Sequence, residues 1–183
     1  MRVHTLVARF AAPSTLFLLA SVFGATASGV TTIKVDPAGT WLKADTAIPR
    51  SIAPPDLAHE PTSVPLASLS VRAGEMLELR EVGAAKWGDH MSDNNAQMIA
   101  VFRRGSTLVS PGKVQRPPQF VTQKTCPRHL PTDVPQDFRL PPRQWLAVQV
   151  PAEADNIAFS PPDCYWSDNT DPNGDYKVEI RKR

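Results

Sequence analysis

The sequence has few cysteines and histidines, and this scarcity excludes several kinds of site. Only two cysteines and four histidines occur among 183 residues. Because the cysteines belong to no CxxC pair or Cys/His cluster, a zinc site is not expected. An HExxH pair, a GxSxG elbow and a glycine-rich phosphate loop are also missing. We therefore expect a protein that is not an enzyme.

Long hydrophobic runs are missing too, apart from one near the N-terminus. Residues 1–27 begin with Arg2 and Arg9, continue with an apolar run at 16–23 and end on small residues at 25–27. This order is typical of a cleavable signal peptide, and the apolar run is shorter than the roughly 18 residues of a membrane-spanning helix. We expect a secreted or periplasmic protein without a membrane span, in which residues 28–183 form one domain.

The mature chain has no excess of either charge. Loss of Arg2 and Arg9 with the signal peptide would lower the Lys plus Arg count from 20 to 18, which equals the Asp plus Glu count of 18. A neutral domain lacks the basic field with which nucleic-acid-binding proteins attract phosphates. Nucleic acid is therefore not an expected partner.

Cys126 and Cys164 both lie in the mature chain. In an oxidising compartment an even pair of cysteines is most simply explained by a disulfide, which would stabilise the fold by about 4 kcal/mol through the loop that it closes. Two free buried thiols are the alternative, and the spacing does not distinguish them.

Proline is abundant, with 19 residues, and it interrupts helices. The prolines are dense at 48–65 and 111–118, which we predict to be loops or extended segments. Runs with strand character lie at 33–35, 69–71, 76–80, 98–102, 145–150, 156–159 and 176–180. This pattern predicts about seven or eight strands in an all-β fold with long Pro-rich loops, either a β-sandwich or a jelly roll.

The segment 163–176 contains four aspartates and two asparagines but no basic residue. Crowded carboxylates repel one another, and a hard divalent cation relieves that repulsion. Calcium prefers carboxylate, amide and carbonyl oxygens, so Asp163, Asp168 and Asn169 indicate a Ca²⁺ site. The alternative is a plain β-turn at 171–174, where the proline, asparagine and glycine fit turn positions without a metal.

The same segment resembles the calcium site and last strand of the bacterial calcium-dependent galactose-binding lectins. The matching features are the acidic cluster and the pattern Gly-x-Tyr-x-Val-x-Ile at 174–180, and the Lys-Trp-Gly loop at 86–88 is similar to one beside the metal in those lectins. The resemblance implies a galactose-binding-domain-like jelly roll. It also implies a calcium ligand set of Asp163, Ser167, Asp168, Asn169 and Asp171, in which Ser167 replaces a threonine.

The resemblance further implies where a sugar would bind. In those lectins a neighbouring loop holds the sugar, and the equivalent loop here offers His90 and Asp93. Calcium would keep coordination positions for sugar hydroxyls, while an aromatic face, from Tyr165 or Trp166, would pack against the sugar ring. For Trp87, ordinary core packing is the favoured interpretation.

Three functions follow from these patterns and remain open. The first is an exported calcium-binding β-sandwich that binds carbohydrate at a loop end. The second is a structural or interaction protein of the cell envelope without a sugar site. The third is a glycoside hydrolase that uses two carboxylates, for which the candidates are Glu75, Glu78, Asp133 and Asp137.

Overall fold

The computed structural model describes residues 29–41, 59–87, 97–112, 134–163, 166 and 168–183. These residues form nine β-strands and one short 3-10 helix. Within this part of the chain, no helix has the length and apolar character needed to cross a bilayer. Several predicted features lie outside the described residues: the signal peptide at 1–27, His90, Asp93, Cys126, Asp133, Cys164, Tyr165 and Ser167.

The strands form two antiparallel sheets. Sheet A contains, in spatial order, β1 (Thr31–Lys34), β9 (Lys177–Lys182), β3 (Met76–Val82) and β7 (Leu146–Gln149). Sheet B contains β2 (Thr62–Pro65), β8 (Asn156–Ser160) and β4 (Met98–Arg104). At the far side of β4, sheet B continues with both β5 (Thr107–Val109) and β6 (Phe138–Leu140).

Each sheet contributes one face to a single hydrophobic core. Leu77 and Leu79 alternate with half-buried residues along β3, and Val178 and Ile180 do the same along β9. These side chains belong to one buried cluster with those of sheet B, including Phe102. Burial of this apolar surface is the main driving force for folding. The predicted all-β sandwich is confirmed.

The outer face of sheet B is also covered. Residues 98–102 in β4 are all buried, as their uninterrupted apolar run predicts. Ile99 forms a second apolar cluster with Trp166, and Trp41 and Val134 pack against this pair. Sheet B is thus a buried layer, whereas the outer face of sheet A carries ion pairs such as that between Arg181 and Glu78.

The structure corrects the predicted elements in three places. Leu66–Leu69 is a 3-10 helix, and Ser70 follows it with φ of 54°, so residues 69–71 are not a strand. Thr62–Pro65 is a strand inside the predicted loop at 48–65, which is possible because β2 is an edge strand and tolerates proline. The strands β5 and β6 were not predicted, since three residues are too few to show a clear alternation.

The strand directions create two different ends of the sandwich. At the loop end, β1, β3 and β8 finish while β2, β4 and β9 begin. There the hydroxyl of Tyr176 donates to the carbonyl of Gln97 at 2.8 Å and joins the two sheets. At the opposite end, termed the turn end, the chain makes short connections at 66–75, 105–106 and 150–155.

Candidate functional site

A cavity of about 700 Å³ lies at the loop end. We term it the Asx cavity, and its polar lining includes Lys34, Asp36, His59, Asn169, Thr170 and Asp171. These residues come from the end of β1, the approach to β2 and the segment before β9. The volume falls within the range of about 300–1,000 Å³ that is common for small-molecule sites.

One wall of the cavity is a turn that begins at Asp36. Its Oδ1 accepts from the backbone N–H of Ala38 at 2.9 Å, which is typical of an Asx turn. Backbone bonds between Thr40 and His59, and between His59 and Ala38, attach this turn to the segment that precedes β2. Gly39 makes the close approach possible, because a Cβ there would lie 2.9 Å from the carbonyl oxygen of Glu60.

This turn brings Asp36 and His59 together. The distance from Asp36 Oδ2 to His59 Nδ1 is 2.7 Å, and the two side chains are 41% and 64% exposed. Since the contact occupies Nδ1, a ligand would meet Nε2 of the imidazole. Sequence reasoning did not single out either residue, because they lie 23 positions apart and no motif connects them.

The opposite wall carries two buried oxygens that accept no hydrogen bond from any residue that the structure describes. Asn169 is 4% exposed and its Nδ2 donates to the carbonyl of Pro37 at 3.1 Å. Asp171 accepts a bond from the N–H of Asp175 at its Oδ1. Asn169 Oδ1 and Asp171 Oδ2 have no hydrogen-bond partner among the described residues. An unsatisfied buried acceptor lowers the stability of a protein by about 1–3 kcal/mol. A hydrogen-bond donor on a ligand would remove this cost at either oxygen.

Lys34 supplies the positive charge of the cavity. Its Nζ lies 3.8 Å from Asp171 Oδ2, which is close enough for an ion pair but too long for a hydrogen bond. The lysine side chain is 65% exposed, whereas that of Asp171 is 3% exposed. Lys34 therefore partly compensates a buried carboxylate from the solvent side.

Backbone hydrogen bonds hold the segment that carries Asn169 and Asp171, both at Thr170 and in the turn that follows. The backbones of Lys86 and Thr170 exchange two hydrogen bonds, of 2.8 and 2.9 Å. The β-turn predicted at 171–174 is present, with the N–H of Gly174 donating to the carbonyl of Asp171 at 3.2 Å. These backbone hydrogen bonds thus fix the positions of Asn169 and Asp171 in the cavity lining.

The calcium centre stays a prediction, because one of its expected ligands, Ser167, lies outside the described residues. Asp171 lines the Asx cavity, while Asp163 is buried away from this lining and Asp168 is exposed. In the described part of the chain, no group of three or more His, Cys, Asp or Glu side chains could hold a metal ion. The ammonium of Lys34 beside Asp171 would also repel a dication.

The predicted aromatic face is not formed by Trp166. This residue is fully buried against Ile99, and its indole N–H donates to the carbonyl of Pro161 at 3.3 Å. A side chain with no exposed surface cannot stack on a sugar without leaving its pocket. Trp87 is 3% exposed and belongs to the main core, as predicted.

Glu81 is a buried carboxyl at the same end of the sandwich. It follows Leu77 and Leu79 on the core face of β3, is 1% exposed, and neither carboxyl oxygen has a hydrogen-bond partner among the described residues. Burial raises the pKa of Glu81 to about 8, against an opposing effect of the Arg139 charge. The side chain is therefore mostly neutral at pH 7. Its enclosure assigns Glu81 to the fold and not to ligand contact.

The carboxylates considered for a hydrolase are dispersed. Glu75 pairs with Lys182 and Glu78 with Arg181, both in surface ion pairs. Asp137 accepts from the N–H of Val134 at 2.7 Å. Since none of these three carboxylates lines the Asx cavity, the described residues do not assemble the predicted pair there.

A second cavity, of about 910 Å³, lies at the turn end and is lined by residues that include Arg104, Ser110, Gln149 and Glu153. Gln149 uses its amide to donate to the carbonyl of Gly74 at 3.0 Å. None of the residues that line this cavity has a buried side-chain atom without a hydrogen bond. The smaller Asx cavity is therefore the better candidate for a binding site.

Comparisons of the chain with protein-family models, with curated proteins and with solved structures found no match. A function must therefore be inferred from the chemistry of the Asx cavity itself.

Proposed function

We propose that this protein is a non-catalytic, exported binding domain that holds a carbohydrate in the Asx cavity. The observation that carries the proposal is that Asn169 and Asp171, in one cavity, each have a buried acceptor oxygen without a hydrogen bond among the described residues. Sugar hydroxyls are hydrogen-bond donors, so two hydroxyls of one sugar would satisfy both oxygens. Lys34, whose side chain is mostly exposed, would move aside to admit them.

The remaining lining suits a polyhydroxylated ligand. Lys34 offers donors, while Asp36 and His59 offer a polar edge that solvent reaches. Hydroxyl groups both donate and accept, so they match such a mixed wall better than an apolar ligand would. Placement on loops at the end of a rigid sandwich is common for binding sites.

The strand pairing supports the finer assignment of the fold as a galactose-binding-domain-like jelly roll. Early strands pair with late ones in a nested way: β1 with β9, β2 with β8, β3 with β7 and β4 with β6. Nested pairing arises when a long antiparallel ribbon folds over on itself, as in a jelly roll. The signal peptide expected at 1–27 supports export, and with it a ligand outside the cytoplasm.

A glycan array tests the proposal. The full chain, expressed with its signal peptide and purified after export, should bind one group of related glycans. Asn169→Ala should weaken that binding by about tenfold or more, because it removes a hydrogen-bonding amide from the cavity wall. Arg104→Ala, at the turn-end cavity, is the matched control and should bind normally.

Two results would contradict the proposal. One is an array without any signal that depends on Asn169, which would favour a structural or interaction protein. The other is equal loss of binding in Arg104→Ala, which would point to the turn end. A melting curve for each variant separates lost binding from lost folding.

A further inference from the structure

The wall of the Asx cavity that contains Asn169 and Asp171 has more unused hydrogen-bond acceptors than unused donors among the described residues. Asn169 already uses its Nδ2 on Pro37, and Asp36 already uses both oxygens, on Ala38 and His59. The two atoms without hydrogen bonds among the described residues, Asn169 Oδ1 and Asp171 Oδ2, are both acceptors. A ligand that matches this wall must therefore bring donors.

The net charge of the cavity lining also favours a ligand that brings hydrogen-bond donors. The ionisable lining consists of Lys34, Asp36, Asp171 and His59, so one positive and two negative charges give a net formal charge of −1 when His59 is neutral. The buried carboxylate of Asp171 has its ion-pair partner at 3.8 Å, beyond hydrogen-bonding distance. A cationic donor on the ligand would bond to it directly.

We propose, building on the carbohydrate-binding function above, that the ligand is an amino sugar whose unacetylated ammonium group binds Asp171 and Asn169 in place of Lys34. An ammonium carries three donors, whereas a hydroxyl carries one, so a single amine serves both acceptors. A charge-assisted hydrogen bond to a carboxylate is also about twice as strong as a neutral one.

Lys34 acts in this scheme as the internal competitor of the ligand. Its Nζ neutralises Asp171 while the cavity is empty of ligand, and its exposed side chain can return to solvent at little cost. The ligand's ammonium then takes over the ion pair at a shorter distance. Removal of the lysine charge should therefore strengthen binding of an amine.

Other ligand chemistries fit this wall less well. An anion would face two acceptors without a hydrogen bond among the described residues, and one of them belongs to the Asp171 carboxylate, which repels it. A divalent cation would need further oxygen ligands, and the described residues provide no group of three acidic or histidine ligands. An N-acetylated sugar loses the positive charge and retains one amide donor.

Titration calorimetry with three oligosaccharides of equal length tests the inference: a glucosamine oligomer, its N-acetylated form and an unsubstituted glucose oligomer. The exported full chain should bind the glucosamine oligomer about tenfold tighter than the other two. Asp171→Asn should remove this preference, because the amide side chain has a similar size but no charge. The readout is the ratio of the affinity for the glucosamine oligomer to the affinities for the two neutral oligomers, which should fall from about tenfold to near one.

Lys34→Met should raise the affinity for the glucosamine oligomer by about two- to tenfold. Its matched control is Lys177→Met, since Lys177 pairs with Lys34 in the register of β1 and β9 but does not line the cavity. That control should bind like the natural chain. Equal melting temperatures of the variants exclude misfolding as the cause.

The possible failures are distinguishable. If all three oligomers bind equally and Asn169→Ala abolishes this binding, the amine assignment is overturned and the carbohydrate-binding function stands. If none of the three binds and the glycan array is also negative, both are overturned. A preference for the amine that persists in Asp171→Asn also overturns the assignment, because another acidic group would then be responsible.

Discussion

Glu81 lies in β3 at the loop end, and Glu75 immediately precedes the same strand at the turn end. The two residues are six positions apart, but their surroundings differ. Hydrogen bonds from Lys182 and from the backbone of Arg72 lower the pKa of Glu75. Glu81 has no hydrogen-bond partner among the described residues, and burial raises its pKa to about 8. Glu75 at the turn end thus has local partners, whereas at the loop end two acidic residues, Glu81 and Asp171, have oxygens without a hydrogen bond among the described residues.

Buried polar atoms without a hydrogen bond among the described residues also occur at the turn end, but the residues that carry them do not line the 910 Å³ cavity there. The carboxylate of Asp155 accepts from the N–H of Gly105 at 3.2 Å. Arg103 and Asn156 each make a hydrogen bond with one side-chain atom, while another has no partner among the described residues. At the loop end, by contrast, Asn169 and Asp171 combine unpaired oxygens with a cavity. Because buried polar groups without partners reduce stability, their presence beside a cavity is a good indication of function.

The largest expected effect concerns the ionisation of Glu81. The folded protein holds this proton up to a pKa of about 8, while the unfolded chain releases it near the ordinary value of 4.5. The unfolded state thus binds fewer protons between these values, so the free energy of unfolding should fall as pH rises through this interval, by roughly 5 kcal/mol in total. Glu81→Gln should abolish this part of the pH dependence.

Urea unfolding at about pH 5, 7 and 9 measures this effect. Glu78→Gln is the control, since Glu78 lies on the outer face of the same strand in an ion pair with Arg181. That variant should keep the decline in stability with rising pH. An unchanged decline in Glu81→Gln would mean that the carboxyl finds a partner or water, and the contrast between the two ends would be lost.

The second prediction compares two glycines with nearly the same backbone conformation. Gly83 at the loop end has φ of 81°, and Gly74 at the turn end has φ of 82°. A Cβ on Gly83 would lie 1.9 Å from the carbonyl oxygen of Asp175, whereas nothing lies within 4 Å of one on Gly74. Gly83→Ala should cost about 3 kcal/mol or more and Gly74→Ala about 1 kcal/mol, as measured by chemical unfolding.

The two glycine variants also test whether ligand binding in the Asx cavity depends on the close approach of Gly83 to Asp175. Because Asp175 follows the turn that begins at Asp171, displacement by an alanine at 83 should weaken ligand binding as well as stability. Gly74→Ala should leave binding unchanged. Equal costs for the two alanines would show that the approach of Gly83 to Asp175 is looser than the structure indicates.

The smallest effect is expected from removal of calcium. From the described carboxylates alone, which form no group of three potential metal ligands, we expect a chelator to change the free energy of unfolding by less than about 0.5 kcal/mol. A bound ion at a hundredfold excess over its Kd would instead stabilise the protein by about 2.7 kcal/mol. A stabilisation of that size, absent from Asp168→Ala, would confirm the calcium site predicted from the segment 163–176.

Much of the fold could be predicted because it depends on local periodicity. The uniform apolar run at 98–102 predicted a strand buried on both faces, and the alternation of Tyr176, Val178 and Ile180 predicted their inward orientation. The turn at 171–174 was predictable from its proline and glycine. Residues 62–65 were missed because flanking prolines are also typical of loops.

The candidate site was predictable only in part. Asn169 and Asp171 were singled out by composition, but the contact of Asn169 with Pro37 spans 132 positions and that of His59 with Asp36 spans 23. No local pattern encodes such contacts, since they depend on which strand ends the sheets bring together. Trp166 shows the same limit, because an aromatic residue in a polar loop can equally cover a sheet or face a ligand.

The sequence by itself determined which segments extend, which faces turn inward and where the last hairpin bends, since these follow from side-chain alternation and turn chemistry between near neighbours. Only the tertiary structure decided that Glu81 lies in the core and that Lys34, Asp36, His59, Asn169 and Asp171 share one cavity. The reason is that burial and proximity of polar groups depend on sheet pairing, which joins strands far apart in the chain.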